Sequence, residues 1–171
     1  MTTNPYPEIE IQLLTSTHDL EAFACGDDSL DAWLRDRALK NQKLSATRTF
    51  AVTVKGESEV IGYYGLSMSK IIRTDAPKST QRNMPDHIPV ILLGRLAIDK
   101  AWQGKGLGRF LTRHMIQTSL AASQSVAARM IVTKPIDENA FQFYQSVGFE
   151  SLTGQEILLA IDLKKIASQK G

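Results

Sequence analysis

The chain has 171 residues, the size of one domain, and is long enough to bury about 70% of its unfolded surface without a disulfide or metal staple. Hydrophobic residues make up 43% and charged residues 22%, with a net charge of +2, which excludes wholesale disorder and collagen-like repeats. The one cysteine, Cys25, excludes an internal disulfide and fits a reducing cytosol; no apolar run reaches the roughly 18 residues of a membrane span.

The opening MTTNPYPEIE lacks the basic and apolar regions of a signal peptide, so a cytoplasmic protein is expected. Ile9, Ile11 and Leu13 alternate with polar residues and predict a strand over 8–14. Asp27 or Asp28 can cap a helix starting near Ser29, with Leu30, Trp33, Leu34 and Ala38 on one face. Residues 1–34 hold seven acids and no Lys or Arg, whereas 35–48 hold Arg35, Arg37, Lys40, Lys43 and Arg48 against Asp36 alone. Thr49–Lys55 and Val60–Met68 read as a hairpin around Gly56-Glu57-Ser58. Residues 70–88 are polar, basic and broken by Pro77 and Pro85, and read as a functional loop with room for a short helix.

Val90–Asp99 is an apolar central strand interrupted by Gly94 and Arg95. A glycine-rich turn, Gln103-Gly104-Lys105-Gly106-Leu107-Gly108, leads into a helix over about Arg109–Ala122, with Phe110, Leu111, Met115 and Leu120 expected in the core. Ala128–Thr133 is a further strand, Asp137 caps a helix ended by Gly148, and Glu156–Leu163 is the last strand. Residues 100–134 carry six bases and no acid. Such a surface suits a polyanion, or is simply a set of solvated helix faces. Strands and helices alternate throughout, which predicts one α/β domain over 1–171.

The glycine-rich turn carries the chemistry. It lets several backbone N–H groups converge at a helix N-terminus, a site for phosphate. The P-loop pattern GxxxxGK[ST] is absent. A dinucleotide fingerprint would need glycine where Arg109 stands and an acid about 20 residues on, where Arg129 stands. What remains is Q-x-x-G-x-G over Gln103, Gly106 and Gly108, which also fits a turn serving only chain geometry.

Preceded by a strand ending LAID and followed by an amphipathic helix, this turn resembles motif A of the GNAT superfamily of acyl-CoA N-acyltransferases. Glu138-Asn139-Ala140-Phe141-Gln142-Phe143-Tyr144-Gln145-Ser146-Val147-Gly148-Phe149 resembles the family's second motif. The resemblance implies a mixed central sheet splayed between two parallel strands, flanked by helices, with acetyl-CoA in the opening and no metal. By the same resemblance the backbone of Leu96, Ala97 and Ile98 pairs with the pantetheine arm. The N–H groups of Gln103, Gly104, Lys105, Gly106, Leu107, Gly108 and Arg109 hold the pyrophosphate. Asn139 and Phe143 lie near the CoA arm and Tyr144 near the sulfur. The amine attacks the thioester directly, and Tyr144 donates a proton to the leaving thiolate. On residues alone, Tyr144 also reads as a core tyrosine ahead of a helix C-cap.

Four further segments resemble the TacT/AtaT-type GNAT toxins of bacterial toxin–antitoxin pairs. They are Asp27-Asp28-Ser29-Leu30-Asp31-Ala32-Trp33-Leu34; Arg37-Ala38-Leu39-Lys40-Asn41-Gln42; Arg82-Asn83-Met84-Pro85 with Ile88-Pro89-Val90; and Leu93-Gly94-Arg95-Leu96-Ala97. This implies acetylation of the α-amino group of aminoacyl-tRNA, which blocks translation. It also implies a homodimer, and a ribbon-helix-helix antitoxin through which alone operator DNA is reached. Arg35, Arg37, Lys40, Lys43, Arg48, Arg73, Lys78 and Arg82 could offer the basic surface a tRNA needs. Arg95 lies in an apolar strand, so it either reaches the substrate cleft or binds a carboxylate that fixes the fold. No base stands out: His87 reads as a surface residue, and His18 and His114 as structural. Cys25 precedes a helix start, a position that can lower a thiol pKa, but reads as a small buried thiol. No His, Cys or Asp cluster has metal-ligand spacing. Rival readings are a GNAT enzyme for a small amine or protein N-terminus, and a CoA-binding module without catalysis.

Overall fold

The computed structural model describes residues 7–169; residues 1–6, where the expectation of no signal peptide begins, and 170–171 lie outside the described residues. The elements are β1 (Ile9–Leu13), α1 (Asp28–Asp36), α2 (Ala38–Lys43), β2 (Arg48–Val54), β3 (Gly62–Ile72), α3 (Lys78–Gln81), β4 (His87–Ile98), α4 (Leu107–Ser125), β5 (Met130–Thr133), α5 (Glu138–Ser146), β6 (Glu150–Ser151), β7 (Leu159–Asp162) and α6 (Leu163–Gln169). The strands form a seven-stranded mixed sheet in the order β1-β2-β3-β4-β5-β7-β6, with helices flanking it. The chain divides into two compact units, one of residues up to 66 with 95–111, the other of 67–94 with the residues from 112 on.

In the first unit β1 pairs antiparallel with β2, from Ile9↔Val54 to Leu13↔Phe50, and β2 pairs antiparallel with β3. Its core gathers Leu14, Phe23, Trp33, Leu34, Ala38, Ala51, Val60, Tyr63 and Ala97. Trp33, Leu34 and Ala38 are buried as the helical spacing requires. The helix they share breaks at Arg37, whose φ of −122° ends α1, although its N–H still donates to the Trp33 carbonyl. Asp27 caps α1 by accepting from the Ser29 and Leu30 N–H groups. Gln42 ties α2 down: its amide donates to the Leu14 carbonyl and accepts from the Thr49 N–H.

In the second unit β4 and β5 run parallel from Val90↔Met130 to Leu93↔Thr133, and β5 and β7 antiparallel from Met130↔Asp162 to Thr133↔Leu159. Its core includes Ile71, Ile88, Val90, Met130, Val132, Leu152 and Ala160. Burial of Ile71 and Ile88 extends β3 to residue 72 and starts β4 at 87, so the expected 70–88 loop shortens to 73–86. Exposed Ser69 and Lys70 hid that strand end from a composition-based reading. The segment does hold a short helix, α3. The last predicted strand shortens to β7, because Leu163 begins α6, and β6 pairs with it as a two-residue rung.

Along α4 the buried positions are Leu107, Leu111, Thr112, Met115 and Ser119. Phe110, expected in the core, is 47% exposed, and Leu120 is half-buried. The buried stripe advances mainly in steps of four, which leaves Phe110 about 100° away from Leu111 around the helix.

Candidate active site

In the first unit the end of β4 is held tightly. A Cβ on Gly62 would stand 3.0 Å from Ile98 Cδ1 and 3.3 Å from the Ala97 carbonyl oxygen, so β3 needs glycine there to sit against this segment. Beyond Ile98 the backbone is stitched to residues 24–25. The Asp99 carboxylate accepts from the Ala24 N–H at 3.1 Å, and the Lys100 N–H donates to the Ala24 carbonyl at 2.8 Å. Gln103 completes the brace: its amide nitrogen donates to the Cys25 carbonyl at 2.7 Å and to the Ile98 carbonyl at 2.8 Å. The Gln103 side chain is therefore occupied by protein, and its backbone N–H caps the preceding turn by donating to the Lys100 carbonyl at 3.4 Å.

Gly104 (φ +75°) and Gly106 (φ +84°) adopt left-handed conformations, and a Cβ on either would meet no atom within 4 Å. Conformation, not crowding, requires glycine at both. The turn delivers the backbone to Leu107, the start of a 19-residue helix, where the macrodipole is positive and an anion is favoured. The residues present thus fit a phosphate-bearing ligand such as CoA: a left-handed, open turn feeding a long helix N-terminus. Lys105 is exposed beside it, its ammonium 5.4 Å from the Trp102 ring centroid.

In the second unit the parallel ladder ends at Leu93↔Thr133, whereas β4 runs on to Ile98. Leu96, Ala97 and Ile98 therefore lie past the last β5 partner. Gly94 is the first residue past it, and a Cβ there would meet nothing within 4 Å. Asp137 caps α5 by accepting from the Ala140 N–H at 2.8 Å, and Gly148 (φ +107°) follows its end, as the sequence predicts. Tyr144, on α5, is only 6% exposed and packs on Phe149 and Phe143 at centroid distances of 5.2 Å and 5.5 Å. Its hydroxyl is hydrogen-bonded to the Thr133 side chain. Burial, partly offset by that bond, pushes its pKa up to about 12. Asn139 is exposed and Phe143 half-buried on the same helix.

The basic residues divide between the units. Arg35, Arg37, Lys40, Lys43 and Arg48 are all exposed on or beside α1 and α2. Arg35 touches Asp36 at 3.3 Å, an exposed pair of small worth that a phosphate can displace. Arg48 donates to the Gln42 carbonyl at 2.9 Å. In the second unit Lys78 and Arg82 are exposed at the two ends of α3, while Arg73 braces its own loop, 3.2 Å from both Asp86 and the Met84 carbonyl.

Arg95 meets an aromatic face. Its guanidinium lies 4.2 Å over the Trp33 ring, which stacks on Tyr63 at 6.0 Å. An aromatic face lowers the cost of a charge in an apolar strand. The Tyr63 hydroxyl donates to the Leu30 carbonyl at 2.7 Å, and burial holds its pKa well above the usual range. Cys25 is a half-buried thiol, in keeping with the small buried thiol expected, and its place before a helix does not lower it. Burial first, then the bond to Asp31, raises its thiol to about 11, which leaves it protonated and inert. Burial lowers the pKa of His114, and His18 accepts from the Thr15 N–H at 3.0 Å within a turn. Among the described residues no three His, Cys, Asp or Glu gather as a metal site. The sequence reading missed Thr133 and Gln42; the signal for Thr133 was a polar residue ending an otherwise apolar strand, MIVT.

Comparison with known proteins agrees with this geometry. Residues 46–151 match the Acetyltransferase (GNAT) domain. The tRNA-acetylating toxin of Mycobacterium tuberculosis (strain ATCC 25618 / H37Rv) is 39% identical over 137 residues, covering 80% of this chain and 81% of the relative. Among solved structures, AtaT complexed with acetyl-methionyl-tRNAfMet matches with a TM-score of 0.90 and 32% identity, over 96% of this chain and 100% of that one. A Tyr-to-Phe mutant of AtaT bound to the C-terminus of the antitoxin AtaR and acetyl-CoA matches with a TM-score of 0.82 and 29% identity, over 95% and 98%. With a family model over more than half of its length and a relative above 30% identity over most of it, the chain belongs to the GNAT acetyltransferase family, whose reaction is acetyl-CoA-dependent N-acetylation.

Proposed function

We propose that this protein is the toxin of a type II toxin–antitoxin system that acetylates the α-amino group of aminoacyl-tRNA and so blocks translation. Support comes from the likeness to a tRNA-acetylating toxin and to AtaT with its acetylated tRNA. The observation that carries the mechanism is the buried, protonated Tyr144 on a GNAT frame. We take the chain as one acetyltransferase domain, since β3, β4 and α4 each supply residues to both units.

Acetyl-CoA supplies the activated acyl group. The backbone of Leu96, Ala97 and Ile98 binds its arm, and the N–H groups from Gln103 to Arg109 bind its pyrophosphate. Asn139 and Phe143 flank the arm. The neutral amine attacks the carbonyl; the N–C bond forms, the C–S bond breaks, and the electron pair leaves on sulfur. Tyr144 gives its proton to that sulfur, and the proton that the nitrogen sheds on becoming an amide returns the tyrosinate to its neutral form. A phenol near 12 facing a thiol with an ordinary value of about 8.5 is a reluctant donor. The desolvation that raises the phenol also raises the thiol, which narrows the gap. Such acid catalysis contributes roughly 10²–10⁴-fold. No strong base is needed, because an α-amino group has a pKa near 8 and a large fraction is already neutral.

The exposed cations Arg35, Arg37, Lys40, Lys43, Arg48, Lys78 and Arg82 contact the tRNA, with Arg73 and Arg95 shaping the same surface. The protein acts in the cytoplasm as a homodimer, neutralised by a ribbon-helix-helix antitoxin that also carries it to operator DNA. Among the described residues no helix is long and apolar enough to cross a membrane.

The test is transfer from labelled acetyl-CoA to a pool of charged tRNA, with wild type beside Tyr144→Phe. Label on the aminoacyl end, lost in the variant, supports the reading and names the amino acid by mass spectrometry. Label on small amines or protein N-termini instead of tRNA overturns the substrate. Acetyl-CoA binding without any turnover reduces the protein to a binding module.

A further inference from the structure

A groove in the second unit is lined by Ser79 of α3, Lys164, Lys165 and Ser168 of α6, and the Arg129–Asp162 pair. The pair neutralises itself. Arg129 grips Asp162 through two bonds, 3.1 Å and 3.3 Å, with both side chains largely buried. Asp162 also caps α6 by accepting from the Lys164 N–H at 2.9 Å. The acid is therefore spent on Arg129 and the helix, and the exposed Lys164 and Lys165 keep their charge. Of α3 only Ser79 lines the groove; exposed Lys78 and Arg82 flank the lining at the two ends of that helix. Glu150, in the adjoining hollow beside Lys165, is the nearby acid, so the balance stays positive. The Ser168 hydroxyl is spent on the Lys165 carbonyl at 2.8 Å, so the Ser79 hydroxyl is the one that can join the lysines as a donor to phosphate oxygens.

Position decides what such a groove can serve. It lies at the Met130↔Asp162 end of the β5–β7 ladder, and Thr133, the partner of Tyr144, lies three residues along at Leu159. That separation is about 10 Å along the strand. A small amine, or one or two amino-acid residues, at the tyrosine does not reach it; the folded body of a nucleic acid does.

Resting on the function proposed above, we propose that the groove between α3 and α6 is a phosphate-backbone contact for the RNA substrate, made by Lys164 and Lys165 together with Lys78 and Arg82. It adds affinity at a distance from the transferred group and reads no sequence.

The test uses Lys164→Glu/Lys165→Glu, the milder Lys164→Ala/Lys165→Ala, and Lys55→Glu, which matches the charge change of the alanine pair elsewhere on the surface. Acetyl-CoA binding checks that each is folded. The probe is bulk charged tRNA from 50 to 200 mM salt. The reversal is expected to weaken tRNA binding at least tenfold and to raise KM while leaving kcat. The alanine pair should reduce the slope of log affinity against log salt by about 1.5, from two contacts at 0.7–0.9 each. Lys55→Glu should change neither. Unchanged affinity and slope in both groove variants overturn the proposal even if wild type acetylates tRNA. Loss of antitoxin binding with tRNA binding intact overturns it in favour of a protein partner. A wild type that acetylates only small amines removes the functional reading, and this proposal with it.

Discussion

The Thr133 hydroxyl donates to the Leu93 carbonyl at 2.9 Å, bridging the last pair of the parallel β4–β5 ladder, while its oxygen engages the Tyr144 hydroxyl. One side chain thus closes the end of the parallel ladder and lies against the proposed acid.

Tyr144→Phe should lower kcat roughly 10²–10⁴-fold with acetyl-CoA binding retained. Thr133→Val removes the positioning bond and should cost kcat about fivefold, from roughly 1 kcal/mol of lost hydrogen bond. Thr133→Ser, which keeps the hydroxyl, should restore it. Single-turnover kinetics separate these from binding effects; equal losses in the valine and serine variants would show that packing alone is at work.

Activity should rise with pH up to about 8 as the acceptor amine loses its proton, then stay level past pH 10, because Tyr144 is held near 12. Stability has the opposite trend at high pH. The folded pKa lies above the ordinary 10, so the contribution of the neutral phenol is complete below pH 10 and is lost as pH rises toward 12. Urea midpoints at pH 8 and above pH 10 should fall less in Tyr144→Phe than in wild type. A pH–rate profile that declines near 9 would contradict the buried phenol.

Gln103→Ala breaks the bonds to Cys25 and Ile98 and frees the glycine turn. Two lost hydrogen bonds, roughly 2 kcal/mol in all, should raise the acetyl-CoA Kd by about tenfold or more. Titration calorimetry reads this directly. An unchanged Kd would mean that the turn holds its shape without the brace.

Arg95 and Trp33 should couple by about 0.5–2 kcal/mol in a cycle of Arg95→Ala and Trp33→Leu read by denaturant unfolding. If Arg95 also meets RNA, Arg95→Ala raises KM for tRNA beyond what its stability loss explains.

The buried Thr49 hydroxyl has no hydrogen-bond partner among the described residues. Thr49→Val keeps the shape and removes the orphan, so stability should rise by about 1 kcal/mol, or 2–4 °C in Tm. A lower melting temperature would reveal a partner for the hydroxyl.

The candidate tyrosine came through the family resemblance, whereas most of the strands and helices, a cap at Asp27 or Asp28, those at Asp137 and Gly148, and a tight glycine turn before α4 were legible directly in the sequence. These rest on local rules: side-chain periodicity, a short polar side chain at a helix start, and glycine where φ is positive. Only the tertiary structure decided the rest. It set Arg95 on Trp33, turned the Gln103 side chain inward to Cys25, joined Thr133 to Tyr144, and cancelled Arg129 against Asp162. Each of these partners is distant in sequence or on another element, and burial and pairing are properties of the packed chain. That is also why Cys25, beside a helix start, carries a raised pKa: desolvation by its neighbours outweighs the local field that sequence position alone suggests.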